Sequence, residues 1–218
     1  MNENTDKEID LKALERKVYR SFFEDGFWDI FIGMLILGFG FSWTRIFFEI
    51  FEPLDLMIIL LIWNTATFLI YYLGKKFITT PRLGIVKFGE KRKTRQRHLK
   101  IFLLINVLFG FIVFILTFFG LLEFLAIGGS LTPLLIGLTS FTIPFSIIAY
   151  FLGFNRLYIY SIIAGFSFFI SDLIYHFLGS PLDSILGFGV PGGIIVTIGI
   201  VFLSKFLRRY PNPKKITK

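Results

Sequence analysis

Cysteine is absent from all 218 residues, which excludes disulfides, thiolate metal sites and thiol catalysis. Charge is scarce as well. Asp, Glu, Lys and Arg make up 17% of the chain against 55% apolar residues, and the mean hydropathy is +0.73. That balance is too apolar for a domain whose surface must face water. Histidine occurs twice, as His98 and His176. The HExxH, GxSxG and Walker patterns and the paired acidic motif of lipid-head-group transferases are all missing. No catalytic residue, metal-ligand set or cofactor is expected, and an enzyme is the less favoured reading.

What the sequence does hold is apolar length. Phe occurs 30 times and aromatics make up 19% of the chain, a composition suited to lipid contact and unlike disordered or collagenous sequence. A bilayer core of about 30 Å takes roughly 20 helical residues to cross. Six apolar runs approach or exceed that length: 27–50, 56–73, 101–122, 131–152, 157–178 and 184–207. The expectation is an all-α fold, a six-helix transmembrane bundle with an amino-terminal amphipathic interfacial helix. It divides into an interfacial arm over 1–26, a membrane domain over 27–207 with a basic loop over 74–100, and a basic tail over 208–218.

Lys and Arg placement sets the orientation, because positively charged loops resist translocation. Five lie in the arm (Lys7, Lys12, Arg16, Lys17, Arg20), ten in the 74–100 loop, one at Arg156 and six at or after Lys205. With six spans all of these fall on one side, and Arg45 alone is left for the other, where Glu49, Glu52, Asp55, Glu123 and Asp183 collect. Both termini are therefore expected in the cytoplasm, in a multi-pass plasma-membrane protein. The arm lacks the short apolar core and cleavage site of a secretory signal, so the first span is expected to be retained. Aromatic placement agrees: Trp28, Tyr71, Tyr72, Tyr150, Tyr158, Tyr160 and Tyr210 mark the inner interface, and Trp43 and Tyr175 the outer. Trp63 is the exception and should lie deep.

The arm reads as a helix, with Thr5 and Glu8 in capping-box spacing, Leu11, Leu14, Val18 and Phe22 on one face, and Gly26 available to end it. In the loop, 79–89 reads as a turn followed by a short extended segment, since Pro81, Gly84 and Gly89 punctuate a β-branched pair. The segment 90–100 reads instead as a basic helical extension of the third span. Its Lys91, Arg92, Lys93, Arg95, Arg97 and Lys100 form a collar expected to contact anionic lipid head groups, the nearest polyanion to a loop tethered at a bilayer. The net charge of +8 is thereby assigned to lipid rather than nucleic acid. His98 within it reads as a solvated base, because no second ligand stands at metal spacing.

Three short patterns carry a resemblance: Pro81-Arg82-Leu83-Gly84-Ile85-Val86-Lys87 in the loop, Glu24-Asp25-Gly26-Phe27 at the entry to the first span, and the closing aromatic-Leu-basic-basic-Tyr-Pro pattern from Phe206 to Pro211. In these the chain resembles small prokaryotic multi-span membrane proteins, mostly uncharacterised. The resemblance implies a topology and a kingdom, and no activity.

Polar residues inside the spans are costly and so mark places of interest. Asp172 and His176 stand at helical i, i+4 spacing. They read as an interfacial polar pair, or Asp172 pairs with Arg45 at similar outer depth, or all three form a proton or ion relay. Asp29 reads as an interface residue, with the basic collar as a candidate partner. Asn64, Thr65 and Thr67 interrupt the second span, and Thr139, Ser140, Thr142, Pro144 and Ser146 the fourth, where Pro144 should kink the helix. Gly187, Gly189, Pro191, Gly192 and Gly193 should break the sixth near its outer end.

Small residues four apart (Gly38 with Ser42, Ser161 with Gly165, Ser167 with Ser171, Gly189 with Gly193) offer a packing explanation for part of this pattern. Two function classes follow. One is a non-catalytic accessory or scaffold protein with a lipid- or partner-facing basic surface, which leaves room for a second copy or another protein as partner. The other is a small transporter or channel whose polar membrane site draws on Arg45, Asn64, Thr139, Ser140, Thr142, Asp172 and His176.

Overall fold

In lipid every backbone N–H and C=O must be satisfied within the chain, so apolar runs of this length have helix as their one open-ended solution. The computed structural model describes residues 23–43, 53–83, 90–118 and 132–211. Among these residues the secondary structure is helical, with no strand. The helices are α1 (Phe27–Trp43), α2 (Pro53–Gly74), α3 (Thr80–Leu83), α4 (Glu90–Phe118), α5 (Thr132–Gly137), α6 (Ile143–Leu152), α7 (Arg156–Leu178), α8 (Leu182–Ser184) and α9 (Val190–Arg209). Three π-turns, Lys75–Thr79, Leu138–Thr142 and Ile185–Gly189, join α2 to α3, α5 to α6 and α8 to α9. Four helical stretches are long and apolar enough to cross a membrane: Ile58–Leu83, Thr132–Leu152, Arg156–Leu178 and Leu182–Arg209. Phe27–Gly40 is apolar and shorter.

The chain divides into two compact units, one comprising Met1–Phe88 with Gly189–Lys218 and the other Gly89–Phe188. In the first, α1 packs along α9 through a seam of small residues. A Cβ on Gly33 would meet Val196 and the Gly192 carbonyl, one on Gly192 would meet Leu37, and one on Gly199 would meet Ile30. Such close backbone approach is how helices associate in lipid, where the hydrophobic effect gives no drive. Gly26 starts the seam with φ +79°, and a Cβ there would overlap the Gly199 carbonyl oxygen. Glycine is required at that position for both reasons. α2 closes on α1 where Trp63 Nε1 donates to the Met34 carbonyl at 2.9 Å, with Gly38 making room for the indole.

In the second unit α7 is the hub. Its buried face carries Leu157, Tyr160, Ser161, Ala164, Gly165, Ser167, Phe168 and Ser171, so the Ser161/Gly165 and Ser167/Ser171 pairs do lie at packed positions. Gly137 and Gly165 bring α5 and α7 into backbone contact, since a Cβ on Gly137 would overlap the Gly165 carbonyl. Phe141, Phe168 and Phe188 form a run of ring contacts at 5.2 and 4.9 Å.

Several expectations change. The segment 79–83 is helical, not a turn entering an extended strand, and 84–89 lie outside the described residues. The π-turn reconciles Pro81 with helix: the Thr80 N–H and its hydroxyl both donate to the Lys75 carbonyl, the hydroxyl at 2.9 Å, and Arg82 Nη1 donates to the Ile78 carbonyl at 2.8 Å. Pro81 then sits in the first turn of α3, where its missing N–H costs little. Pro144 sits likewise at the start of α6, directly after the π-turn Leu138–Thr142. The sixth run departs from α-helix over Ile185–Gly189, but Pro191, Gly192 and Gly193 belong to regular α9. Gly193 has nothing within 4 Å of a would-be Cβ, so the Gly189/Gly193 pair is not the packing seam; Gly192 and Gly199 are. Of the expected arm helix over 1–26, residues 1–22 lie outside the described residues, as does Arg45, and 23–26 form a turn, not helix.

Candidate functional site

The first unit contains a charged cluster at the entry to α1. Asp25 is fully buried, and its Oδ1 accepts from the Phe27 N–H at 3.2 Å. This is the two-residue-on bond by which an Asp side chain opens a helix. Its Oδ2 accepts from Lys75 Nζ and from Thr79 Oγ1, both at 2.6 Å. Lys75 and Thr79 are the ends of one π-turn, and both are buried. Those short lengths are typical of hydrogen bonds strengthened by charge. Taking an ammonium and a carboxylate out of water is expensive unless the geometry is good and the remaining lone pairs are used. Three donors on one carboxylate meet that condition.

The surroundings are aromatic. The Tyr71 ring centroid is 6.0 Å from Lys75 Nζ and 5.1 Å from the Trp28 ring, and Phe31 also lies 5.1 Å from Tyr71. The Phe27 ring fills the space a Cβ on Gly74 would take. Asp29, one turn on from Asp25, is fully buried as well. On the same unit Arg82 Nε donates to the Tyr210 carbonyl at 3.0 Å, tying α3 to the end of α9, where Phe206 is buried and 5.1 Å from the Tyr210 ring. Each of the three short patterns thus contributes a residue to a contact of one unit: Asp25 and Gly26 from the first, Arg82 from the second, Phe206 and Tyr210 from the third.

The residues singled out from sequence are distributed differently. Asn64 is exposed on α2 and donates to the Leu60 carbonyl of its own helix at 2.8 Å. Thr139 spends its hydroxyl on the Leu135 carbonyl at 2.7 Å, and Ser140 is exposed. Thr142 Oγ1 donates to the Ser161 carbonyl at 3.1 Å, and Ser146 Oγ lies 3.0 Å from Ser161 Oγ, so these hydroxyls join the α5–α6 segment to α7. Asp172 and His176 are brought together, Oδ2 to Nε2 at 3.9 Å, with His176 largely exposed. Of the basic collar, Arg95, Arg97 and Lys100 are exposed on α4, and the Arg95 guanidinium stands 4.9 Å over the Tyr150 ring. The side chains of Lys91, Arg92 and Lys93 lie outside the described ones. No group of three or more His, Asp or Glu able to hold a metal ion occurs among the described residues.

Sequence reasoning missed the Asp25–Lys75 pair, because the partners stand 50 positions apart and Lys75 reads as one more basic loop residue. The available signal was an Asp-Gly entry directly before an apolar run, where a lone carboxylate needs a cation. No family model, curated protein or solved structure matches the chain.

Proposed function

We propose that the chain is a six-span protein of the plasma membrane with both termini cytoplasmic, and that it acts as a non-catalytic accessory or scaffold whose basic cytoplasmic face engages anionic lipid head groups. The observation that carries this reading is α4. Its 29 residues run without interruption from Glu90 to Phe118, a length of roughly 43 Å against about 30 Å of bilayer core. The surplus is its basic end, with Arg95, Arg97 and Lys100 exposed. The Asp25 cluster supports the same view, since its carboxylate is occupied by protein donors and ties elements together.

The test is retention of anionic lipid by the purified full chain. From mixed phosphatidylcholine and phosphatidylglycerol vesicles, the protein should carry phosphatidylglycerol through detergent extraction above its bulk fraction. The enrichment should fall as salt rises, because the Debye length shrinks from about 10 Å at 0.1 M to about 3 Å at 1 M. The triple change Arg95→Gln, Arg97→Gln, Lys100→Gln should abolish most of it. Bulk-like lipid composition at low salt, or solute flux through vesicles carrying the protein, would overturn the reading in favour of a transporter or channel.

A further inference from the structure

We propose a monovalent-cation site of sodium size in the second unit, built on Asp183. This carboxylate belongs to α8, is 3% exposed, and lies against α7. Among the described residues its one side-chain hydrogen bond is accepted from Ser171 Oγ, at 3.5 Å, and its Oδ1 has no partner. Ser171 is fully buried, and Ser184, the next residue on α8, is 1% exposed with its Oγ also lacking a partner. The contrast with Asp25 is internal to the molecule: there a hydroxyl sits at 2.6 Å from the carboxylate, the length expected of a direct charge-assisted bond. The Ser171–Asp183 separation is too long for that.

It suits two oxygens sharing an ion. Ligands at about 2.4 Å from a cation and at right angles to each other stand roughly 3.4 Å apart. The oxygen-only donor set, carboxylate plus hydroxyl, selects a hard cation. The charge selects valence, because one carboxylate neutralises one positive charge and a divalent ion would be left with net charge in a poorly solvated site. The wall is close-packed: a Cβ on Gly187 would meet Ser171 Cβ at 2.7 Å and the Ser167 carbonyl at 3.1 Å. Ser167 itself spends its hydroxyl on the Ile163 carbonyl, so Ser171 and Asp183 are the groups left to take an ion, with Ser184 adjoining.

The site is independent of the basic surface and of any lipid it engages. The experiment measures thermal unfolding of the full chain in a neutral detergent at fixed ionic strength, replacing choline chloride by sodium chloride. The midpoint should rise with the logarithm of the sodium concentration, to about 5 °C above the choline value at the highest sodium, as expected of a ligand that binds only the folded state. Asp183→Asn should abolish the rise and Ser171→Ala should weaken it. Should Asp183→Asn fail to fold, Ser171→Ala and sodium-23 line broadening on the unmodified chain carry the test, with broadening reduced in the variant. Equal midpoints in sodium and choline would overturn the proposal. So would an undiminished rise in Asp183→Asn or, where that chain does not fold, in Ser171→Ala. A larger rise with millimolar magnesium than with the highest sodium concentration would overturn the monovalent assignment.

Discussion

Asp25 in the first unit and Asp183 in the second, both buried, are treated in opposite ways. Asp25 receives a backbone amide, an ammonium and a hydroxyl, the latter two at 2.6 Å. Asp183 receives one hydroxyl at 3.5 Å. Around Asp25 the first unit thus adds a fully used charge to its glycine seam, whereas the second is tied by neutral contacts: hydroxyls on helix carbonyls and glycines that let backbones touch. The lesson concerns failure. Where a buried charge is matched, removing one partner exposes the whole desolvation cost of the other; where ties are neutral, each loss is small unless it forces backbones apart.

The largest effect should therefore come from Lys75→Met, which keeps the length of the side chain and removes its charge. Asp25 would be left buried without its ammonium, at a cost of about 3–5 kcal/mol, visible as a large drop in unfolding free energy in mixed micelles. A loss below about 1 kcal/mol would mean that water or another cation reaches Asp25.

Next should come Gly137→Ala, whose Cβ must displace the Gly165 carbonyl. Overpacking of this kind costs about 1–3 kcal/mol. Gly193→Ala, with open space around it, serves as the control and should be neutral or slightly stabilising, since alanine is the better helix former. Equal effects of the two changes would remove the case for a backbone contact between α5 and α7. The smallest should be Thr142→Val, which deletes the bond to the Ser161 carbonyl. Interhelical hydrogen bonds in membranes average about 0.6 kcal/mol, so the same micelle titration should register a loss under about 1.5 kcal/mol.

The helices were legible in the sequence wherever length and apolarity decide. The runs at 56–73, 131–152, 157–178 and 184–207 coincide closely with helical stretches of the structure. What was not legible is what π-turns do. At Lys75–Thr79 one carries helix past the Thr80-Pro81 step that reads locally as a stop, with the Thr80 N–H bonded to the Lys75 carbonyl and Pro81 in the first turn of α3. The Asp25–Lys75 contact was hidden for a different reason: pairing between distant positions leaves no periodic trace in one sequence. Asn64 and Thr139 each satisfy a polar group on the carbonyl four residues back in their own helix, a local bond that a polar residue's position in the sequence does not reveal. Trp63, marked as the one misplaced aromatic, found its explanation in a bond to the Met34 carbonyl.

Asp25 and Lys75 act as a single charged pair, and a double-mutant cycle measures that dependence. Asp25→Asn keeps an oxygen to accept from the Phe27 N–H and removes the charge, Lys75→Met removes the opposite charge, and the third variant carries both. With unfolding free energies measured in mixed micelles, each single change should cost more in the wild-type background than in the presence of the other, giving a coupling of about 1–3 kcal/mol. Additivity to within about 0.5 kcal/mol would show that the two charges do not depend on each other, and would contradict the account.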